Sequence, residues 1–183
     1  MKTRLIAVLL FFFVVSCGGE SSQTINIEGR YRLTLPEWMT VTKDLNEDAS
    51  LQYQSTAKEF YAIVIDEPKA NLQKVLAEND LSDDYSSNLK GYSQFIIDGM
   101  DRSISVDKIP PFAETSIQGL PARELSFEGL SSGYKVYWKL AFIEGKDHYY
   151  QVMVWTLAQN QKKYEKEMNI IVKSFTETNK GKK

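Results

Sequence analysis

Six consecutive residues, Phe60 to Ile65, constrain this chain more than any others. They read as a β-strand, set off from a preceding strand at Ser50 to Ser55 by the polar turn Thr56-Ala57-Lys58-Glu59. Side chains alternate along a strand, so Phe60, Ala62 and Val64 share one face and Tyr61, Ile63 and Ile65 the other. Both faces are apolar, and a strand of that kind is covered on both sides. The chain has 183 residues, 43% of them hydrophobic and 12% aromatic, which suffices for one such domain and rules out a disordered chain.

The remaining pattern supplies the covering. Tyr31 to Leu35 alternates toward a turn at Pro36-Glu37, followed by Trp38 and a second extended piece. Pro68 suits a first helical position before a stripe of Leu72, Val75 and Leu76. Ser82 is expected to cap a second helix with Asp83 and Asp84 in its first turn. Leu89, Tyr92, Ile96, Met100 and Ser103 then recur at helical spacing to about Ser105. Glu114 to Ile117 and Ala122 to Glu128 read as strands broken at Gly119-Leu120-Pro121.

The clearest hairpin joins Tyr134 to Glu144 with Asp147 to Thr156 through Gly145-Lys146, a Gly-X loop that suits a type II′ turn. In that register Phe142 faces Tyr149, Trp138 faces Met153 and Val136 faces Trp155 on a core face. The opposite face pairs Ile143 with His148, Ala141 with Tyr150, Lys139 with Val152 and Tyr137 with Val154. It reads as mixed, its two lysines reaching solvent past packed neighbours. A last helix starts near Gln161 and presents Tyr164, Met168, Ile171 and Phe175 on one stripe. No regular βαβ alternation appears, so the class is α+β: a mainly antiparallel sheet with helices on its faces. The domain is expected to span residues 25–178, with a polar tail at 179–183.

The N-terminus reads as a targeting segment. Lys2 and Arg4 precede an apolar run from Leu5 to Val15, whose eleven residues would span about 16 Å as a helix, about half a bilayer's hydrocarbon core. A signal-peptide core fits this length and a transmembrane anchor does not. The run ends in Val14-Val15-Ser16-Cys17-Gly18-Gly19. This resembles the lipobox of bacterial lipoproteins, in which a small residue precedes an obligatory Cys. The resemblance implies cleavage of residues 1–16 between Ser16 and Cys17 and attachment of a diacylglycerol to the Cys17 thiol. Two or three acyl chains give stable anchoring where one is marginal.

Loss of Lys2 and Arg4 leaves 20 basic against 24 acidic residues, so lipid rather than a polybasic patch would hold the mature chain at a membrane. Residues 17–24 form the lipidated Cys and a polar tether; the seven residues from Gly18 reach at most about 23 Å. Gly18-Gly19 lacks the acidic residue that in some bacteria retains lipoproteins at the inner membrane. For a Gram-negative source the preferred placement is the outer membrane, facing the periplasm.

Three stretches, in order, resemble the PsbP-like superfamily: Gly29 to Trp38 with its strand running into Pro36 and Trp38, Gln118 to Arg123 with its Gly-x-Pro-Ala turn, and Ile170 to Phe175 with its closing Ser-Phe. The resemblance covers about 29–176 and implies an α/β/α sandwich with a central antiparallel sheet. That superfamily includes bacterial lipoproteins of the DcrB type. Its members bind larger partners and share no active site, so no functional residue transfers to this chain.

Candidate chemistry is sparse. One Cys and one His exclude an intramolecular disulfide, a cysteine-built zinc site and any site needing two imidazoles. A net charge of −2 argues against a nucleic-acid binder. Asp44, Asn46 and Asp48 match the first three ligand positions of an EF-hand loop, yet Ala49 and Ser55 stand where Gly and the bidentate Glu are needed. An acidic surface turn is the expectation, with weak cation binding left open.

His148 is expected beside the hairpin turn, opposite Ile143, without a catalytic partner. Ser93 lacks the second Gly of a nucleophile elbow and falls inside a helix. Asp80, Asp83 and Asp84 read as helix-capping residues rather than paired acids. Trp38, Trp138 and Trp155 could line a ligand cavity, though packing explains the two on the hairpin's core face. No cofactor, metal or catalytic set is expected. The leading expectation is therefore a membrane-anchored, non-enzymatic domain that binds an envelope protein partner. The alternative is a small-molecule or lipid carrier using a pocket between sheet and helices, and a sizeable apolar cavity behind Trp138 and Trp155 would favour it. The oligomeric state is open.

Overall fold

The computed structural model describes residues 21–100, 104–106 and 108–178. In chain order these form β1 (Ser22–Ile27), β2 (Tyr31–Pro36), β3 (Thr40–Val41), β4 (Leu51–Ser55), β5 (Phe60–Pro68), α1 (Lys69–Glu78), α2 (Leu89–Met100), β6 (Ala113–Ile117), β7 (Leu120–Ser131), β8 (Tyr134–Glu144), β9 (His148–Leu157), α3 (Gln161–Ser174) and β10 (Thr176–Glu177). Seven strands make one sheet in the order β3-β4-β5-β9-β8-β7-β6, and β1-β2-β10 make a second. Every pairing is antiparallel. Helices α1 and α2 cover one face of the large sheet, and α3 with the small sheet covers the other. The α+β class and the covered central sheet are as the sequence predicts.

Strand β5 sits between β4 and β9, which explains its two apolar faces. Phe60, Ala62 and Val64 are fully buried against Leu33 and Leu35 of β2 and Met168 and Ile171 of α3. Each large side chain so buried contributes about 1.5–3 kcal/mol. On the other face only Ile63 is buried, while Tyr61 and Ile65 are half-buried. Two faces equal in composition are therefore unequal in cover.

The central hairpin differs from its expected register by two residues. Glu144 pairs with Tyr149, Phe142 with Gln151, Trp138 with Trp155 and Val136 with Leu157. The Gly145 N–H donates to the His148 carbonyl at 2.9 Å, so Lys146 and Asp147 occupy the turn. Gly145 serves close packing instead: a Cβ there would stand 2.2 Å from Glu177 Oε1 and 2.5 Å from Tyr150 Cε2. A slip of two preserves which side chains share a face, so the face assignments survive. The face expected to be mixed is buried as well, under α3 and the small sheet. Lys139 is correspondingly 9% exposed, its Nζ 3.3 Å from Glu124 rather than in solvent. The β6–β7 and β7–β8 hairpins turn at Gln118-Gly119 and Ser132-Gly133, with φ of 49° and 83° and of 50° and 83°. Positive φ at both central residues is the type I′ geometry that suits strand twist.

Helix starts also move. Pro68 closes β5 and flanks α1, whose buried positions are Leu72 and Leu76, while Val75 is exposed. Ser82, Asp83 and Asp84 lie in turns well before α2. Asn88 caps that helix, its Oδ1 accepting the Gly91 N–H at 3.1 Å and the Ser86 hydroxyl at 2.8 Å. Ser105, expected at a helix end, bridges to Leu130 of β7. Ser103 and the tail at 179–183 lie outside the described residues. At the N-terminal side β1 begins at Ser22, so the last three tether residues are paired strand. Helix α3 presents its stripe as expected, with Tyr164, Met168, Ile171 and Phe175 all buried.

Candidate functional site

Antiparallel register brings four aromatic residues into one row across four adjacent strands. Tyr61 of β5 pairs with Trp155 of β9, Trp155 with Trp138 of β8, and Trp138 with Phe127 of β7. Tyr61 stacks on Trp155 at 5.4 Å and Phe127 on Trp138 at 5.3 Å, so each indole packs on its outer neighbour. Further along the sheet α2 covers this face closely, with Tyr92 stacked on Tyr149 at 4.5 Å and edge-on to Phe142 at 6.1 Å.

Over the aromatic row the cover thins to Met100 and Ile104 on one side and Leu45 and Asn46 on the other, and a groove of about 520 Å³ remains. Trp138 on its floor is 5% exposed, Trp155 and Met153 are half-buried, and Tyr134 at its rim is 65% exposed. That volume is within the range of small-ligand sites.

The wall formed by the β3–β4 loop is held from below. Gln52, 8% exposed, accepts the N–H groups of Leu45 and Asn46 on Oε1 at 2.9 and 3.1 Å and donates from Nε2 to the Asn46 carbonyl at 2.7 Å. Asn46 Oδ1 in turn accepts the Asp48 N–H at 2.8 Å, and the Asp44 N–H donates to Thr42 Oγ1 at 3.3 Å. Asn46 is thus a turn-former in a loop that builds the groove. Among the described residues no three His, Cys, Asp or Glu side chains gather as metal ligands.

Between α2 and the sheet, further along from the groove, lie two polar clusters. The Tyr92 hydroxyl donates to Glu67 Oε2 at 2.6 Å and accepts from Gln151 Nε2 at 2.8 Å. Burial, followed by the Glu67 charge, pushes the Tyr92 phenol far above its usual range, so it holds its proton throughout the physiological range. Arg123, 7% exposed, donates from Nε to Glu114 Oε1 at 2.7 Å, and from Nη1 to the Lys90 carbonyl at 3.1 Å and to Ser93 Oγ. Its guanidinium also lies 4.0 Å over the Phe112 ring. These groups satisfy one another and fix α2 on the sheet.

The other sequence candidates are dispersed. Ser16 and Cys17 lie outside the described residues. His148 opens β9 opposite Pro68, while Ile143 pairs with Tyr150 instead. Its ring is 6.1 Å from Tyr150, and Nδ1 is buried with no hydrogen-bond partner among the described residues. Ser93 is fully buried and donates to the Lys90 carbonyl, with no base beside it. Asp80, in left-handed backbone at φ 57°, and Asp83 and Asp84 belong to the α1–α2 connection and cap no helix. Trp38 lies on the far face against Phe60 at 5.2 Å and Tyr164 at 6.2 Å. Only Trp138 and Trp155 come together in the groove. Tyr61, Met153, Met100 and Ile104 complete it and were not singled out from sequence, although alternation along β9 already put Met153 on that face; the pairing of β5 with β9 brings Tyr61 there.

No family model matches the sequence, and no curated protein matches it either. Solved structures do. Cyanobacterial PsbP (CyanoP) from Synechocystis superposes with a TM-score of 0.55 at 10% identity, over 88% of this chain and 95% of that one. PA94 from Pseudomonas aeruginosa, a protein of unknown function, gives 0.52 at 12% identity over 84% and 94%. The Ran-binding protein Mog1p from Saccharomyces cerevisiae gives 0.52 at 10% identity over 86% and 96%. Likeness at such identity speaks to architecture alone. The chain has a PsbP-like fold.

Proposed function

We propose that this chain is a lipid-anchored protein of a bacterial cell envelope, cut between Ser16 and Cys17 and held by lipid on Cys17, whose domain acts by binding rather than catalysis. The observation that carries the binding role is the groove over the aromatic row, lined by the half-buried Tyr61, Met153 and Trp155 together with Trp138, which is 5% exposed. A groove lined in part by the two tryptophans supports the alternative, a carrier of a small apolar ligand or lipid. Its hydroxyls, such as those of Ser131, Ser132 and Thr156, have no His, Asp, Glu or Lys beside them in the lining, and no metal-ligand cluster is found among the described residues. For a Gram-negative source, Gly18-Gly19 favours placement at the outer membrane, facing the periplasm.

A second reading, a protein partner near the membrane, has its own support. The edge strand β1 carries no charge and no Pro over Ser22–Ile27 and pairs with β2 on one side only. Natural edges are commonly guarded by such residues, so this one can take an added strand from another chain.

Two measurements test the proposal. Intact-mass analysis and membrane fractionation of wild type and Cys17→Ala should show a lipid adduct and membrane retention in the first and neither in the second. Full-length protein titrated with 1-anilinonaphthalene-8-sulfonate should give saturable fluorescence that Met153→Lys removes. Ile170→Lys, on the exposed side of α3, should leave that signal in place. Fluorescence that persists in Met153→Lys would refute the groove as the binding site.

A further inference from the structure

We infer that the groove opens at the membrane-facing end of the domain and takes one acyl chain of a bilayer phospholipid. The inference rests on the anchored reading above. It begins from where the chain enters the domain. Ser22 pairs with Pro36, and the Ser21 carbonyl accepts the Glu37 N–H at 2.9 Å. Gln23 Nε2 donates to the carbonyls of Pro36 at 3.1 Å and Met39 at 2.8 Å, tying β1 to the turn that carries Trp38.

Trp38 packs edge-on to Phe60 at 5.2 Å. Phe60 pairs with Thr156, whose hydroxyl donates to the Glu59 carbonyl at 2.8 Å. Next to these two residues, on the opposite face, stand Tyr61, Trp155 and Leu157 of the groove. The entry point and the groove therefore share one end of the large sheet. Only four residues, 18–21, separate Cys17 from β1. They reach at most about 14 Å, which is less than the domain's radius of gyration of roughly 15 Å. A lipid on Cys17 thus turns this end, and the groove with it, toward the bilayer.

The chemistry of that end selects the occupant. No charged side chain lines the groove among the described residues; its polar atoms come from uncharged groups such as Asn46, Ser131 and Thr156. A free fatty acid would bring a carboxylate without a cation to meet it, whereas an esterified chain brings only methylenes. The thioethers of Met100 and Met153 line the groove and adapt to a flexible chain. Tyr134 and Leu130, 65% and 52% exposed, flank the β7–β8 turn at the same end, where an interfacial tyrosine suits a membrane surface.

The test uses the full-length lipidated protein carrying Trp38→Phe, which leaves Trp138 and Trp155 as the only indoles. It is reconstituted into phosphatidylcholine vesicles with bromines midway along the acyl chains. Most of the tryptophan emission should be lost relative to unbrominated vesicles, and adding anionic phosphatidylglycerol should not change that loss. Met153→Lys and, separately, Ile104→Lys should each restore emission while far-UV circular dichroism stays unchanged. Intact mass reads lipid attachment independently. An adduct on Cys17 without quenching overturns the acyl-chain assignment while the anchor stands; quenching without an adduct supports the assignment while the anchor falls. Quenching confined to Cys17→Ala identifies the protein's own lipid as occupant and overturns the assignment, as does quenching that survives both groove variants.

Discussion

Replacing Tyr92 by Phe isolates one hydroxyl in the tightest part of the sheet–helix interface. The ring is 1% exposed and stacks on Tyr149 at 4.5 Å, contacts that Phe retains. The variant loses a 2.6 Å bond to Glu67 and a 2.8 Å bond from Gln151. Gln151 is 5% exposed and keeps a donor with nothing to meet it. A hydrogen bond to a charged group and an orphaned buried donor each cost about 1–3 kcal/mol, giving a net loss of about 2–4 kcal/mol. That is a large share of the roughly 5–15 kcal/mol that holds a domain together.

Urea unfolding of the full-length protein should show a midpoint lower by about 1–2 M at an unchanged slope. Adding Gln151→Leu in the Tyr92→Phe background should recover part of the loss, because removing both partners leaves nothing orphaned. The double-mutant cycle should then report a coupling of about 1 kcal/mol or more. A Tyr92→Phe variant within about 0.5 kcal/mol of wild type, or strict additivity, would refute this account of the network.

Two further outcomes follow from burial. Tyr31, Tyr92 and Tyr150 all have phenols raised far above the ordinary value, mainly by burial, with hydrogen bonding to Glu177 adding to it at Tyr150. A raised folded pKa gives stability that is complete below the unfolded value near 10 and lost as pH climbs above it, at about 1.4 kcal/mol per pH unit for each group, or about 4 for the three. Absorbance at 295 nm should show three of the ten tyrosines ionising only with cooperative unfolding, and smooth titration of all ten near pH 10 would oppose this. Glu124, 8% exposed, stands between Lys139 at 3.3 Å and Lys173. Glu124→Gln strands the buried Lys139 ammonium and should cost about 3–5 kcal/mol in chemical denaturation. Glu128→Gln at the surface pair with Lys135 should cost under about 1 kcal/mol, and equal costs would show that burial is not the deciding factor.

The amino-acid sequence by itself determined the side on which each strand residue falls, because alternation has a period of two and needs no partner to operate. From it came the doubly apolar β5, the shared face of Trp138 and Trp155, the α3 stripe and the α+β class. It also carries the whole case for Cys17, which is a matter of linear order. Register lay beyond it: a slip of two leaves every face unchanged, so alternation alone cannot choose between Trp155 opposite Val136 and Trp155 opposite Trp138. In the folded chain the Gly145 N–H donates to the His148 carbonyl, and the missing Gly145 Cβ leaves room for Tyr150 of the same hairpin and for Glu177 of β10.

Ser82 and Asn88 are equally good caps in sequence. Asn88 is used where the Gly91 backbone fits against Ser86, a Cβ on Gly91 standing 1.8 Å from the Ser86 carbonyl oxygen. Lys139 looked solvated because Glu124, its counter-ion, comes from the neighbouring strand and α3 closes over both. The groove is the furthest of all from local pattern. Among the described residues its walls come from Met100 and Ile104 on one side and Leu45 and Asn46 on the other, and how such distant segments meet over a sheet face is decided only by the tertiary structure.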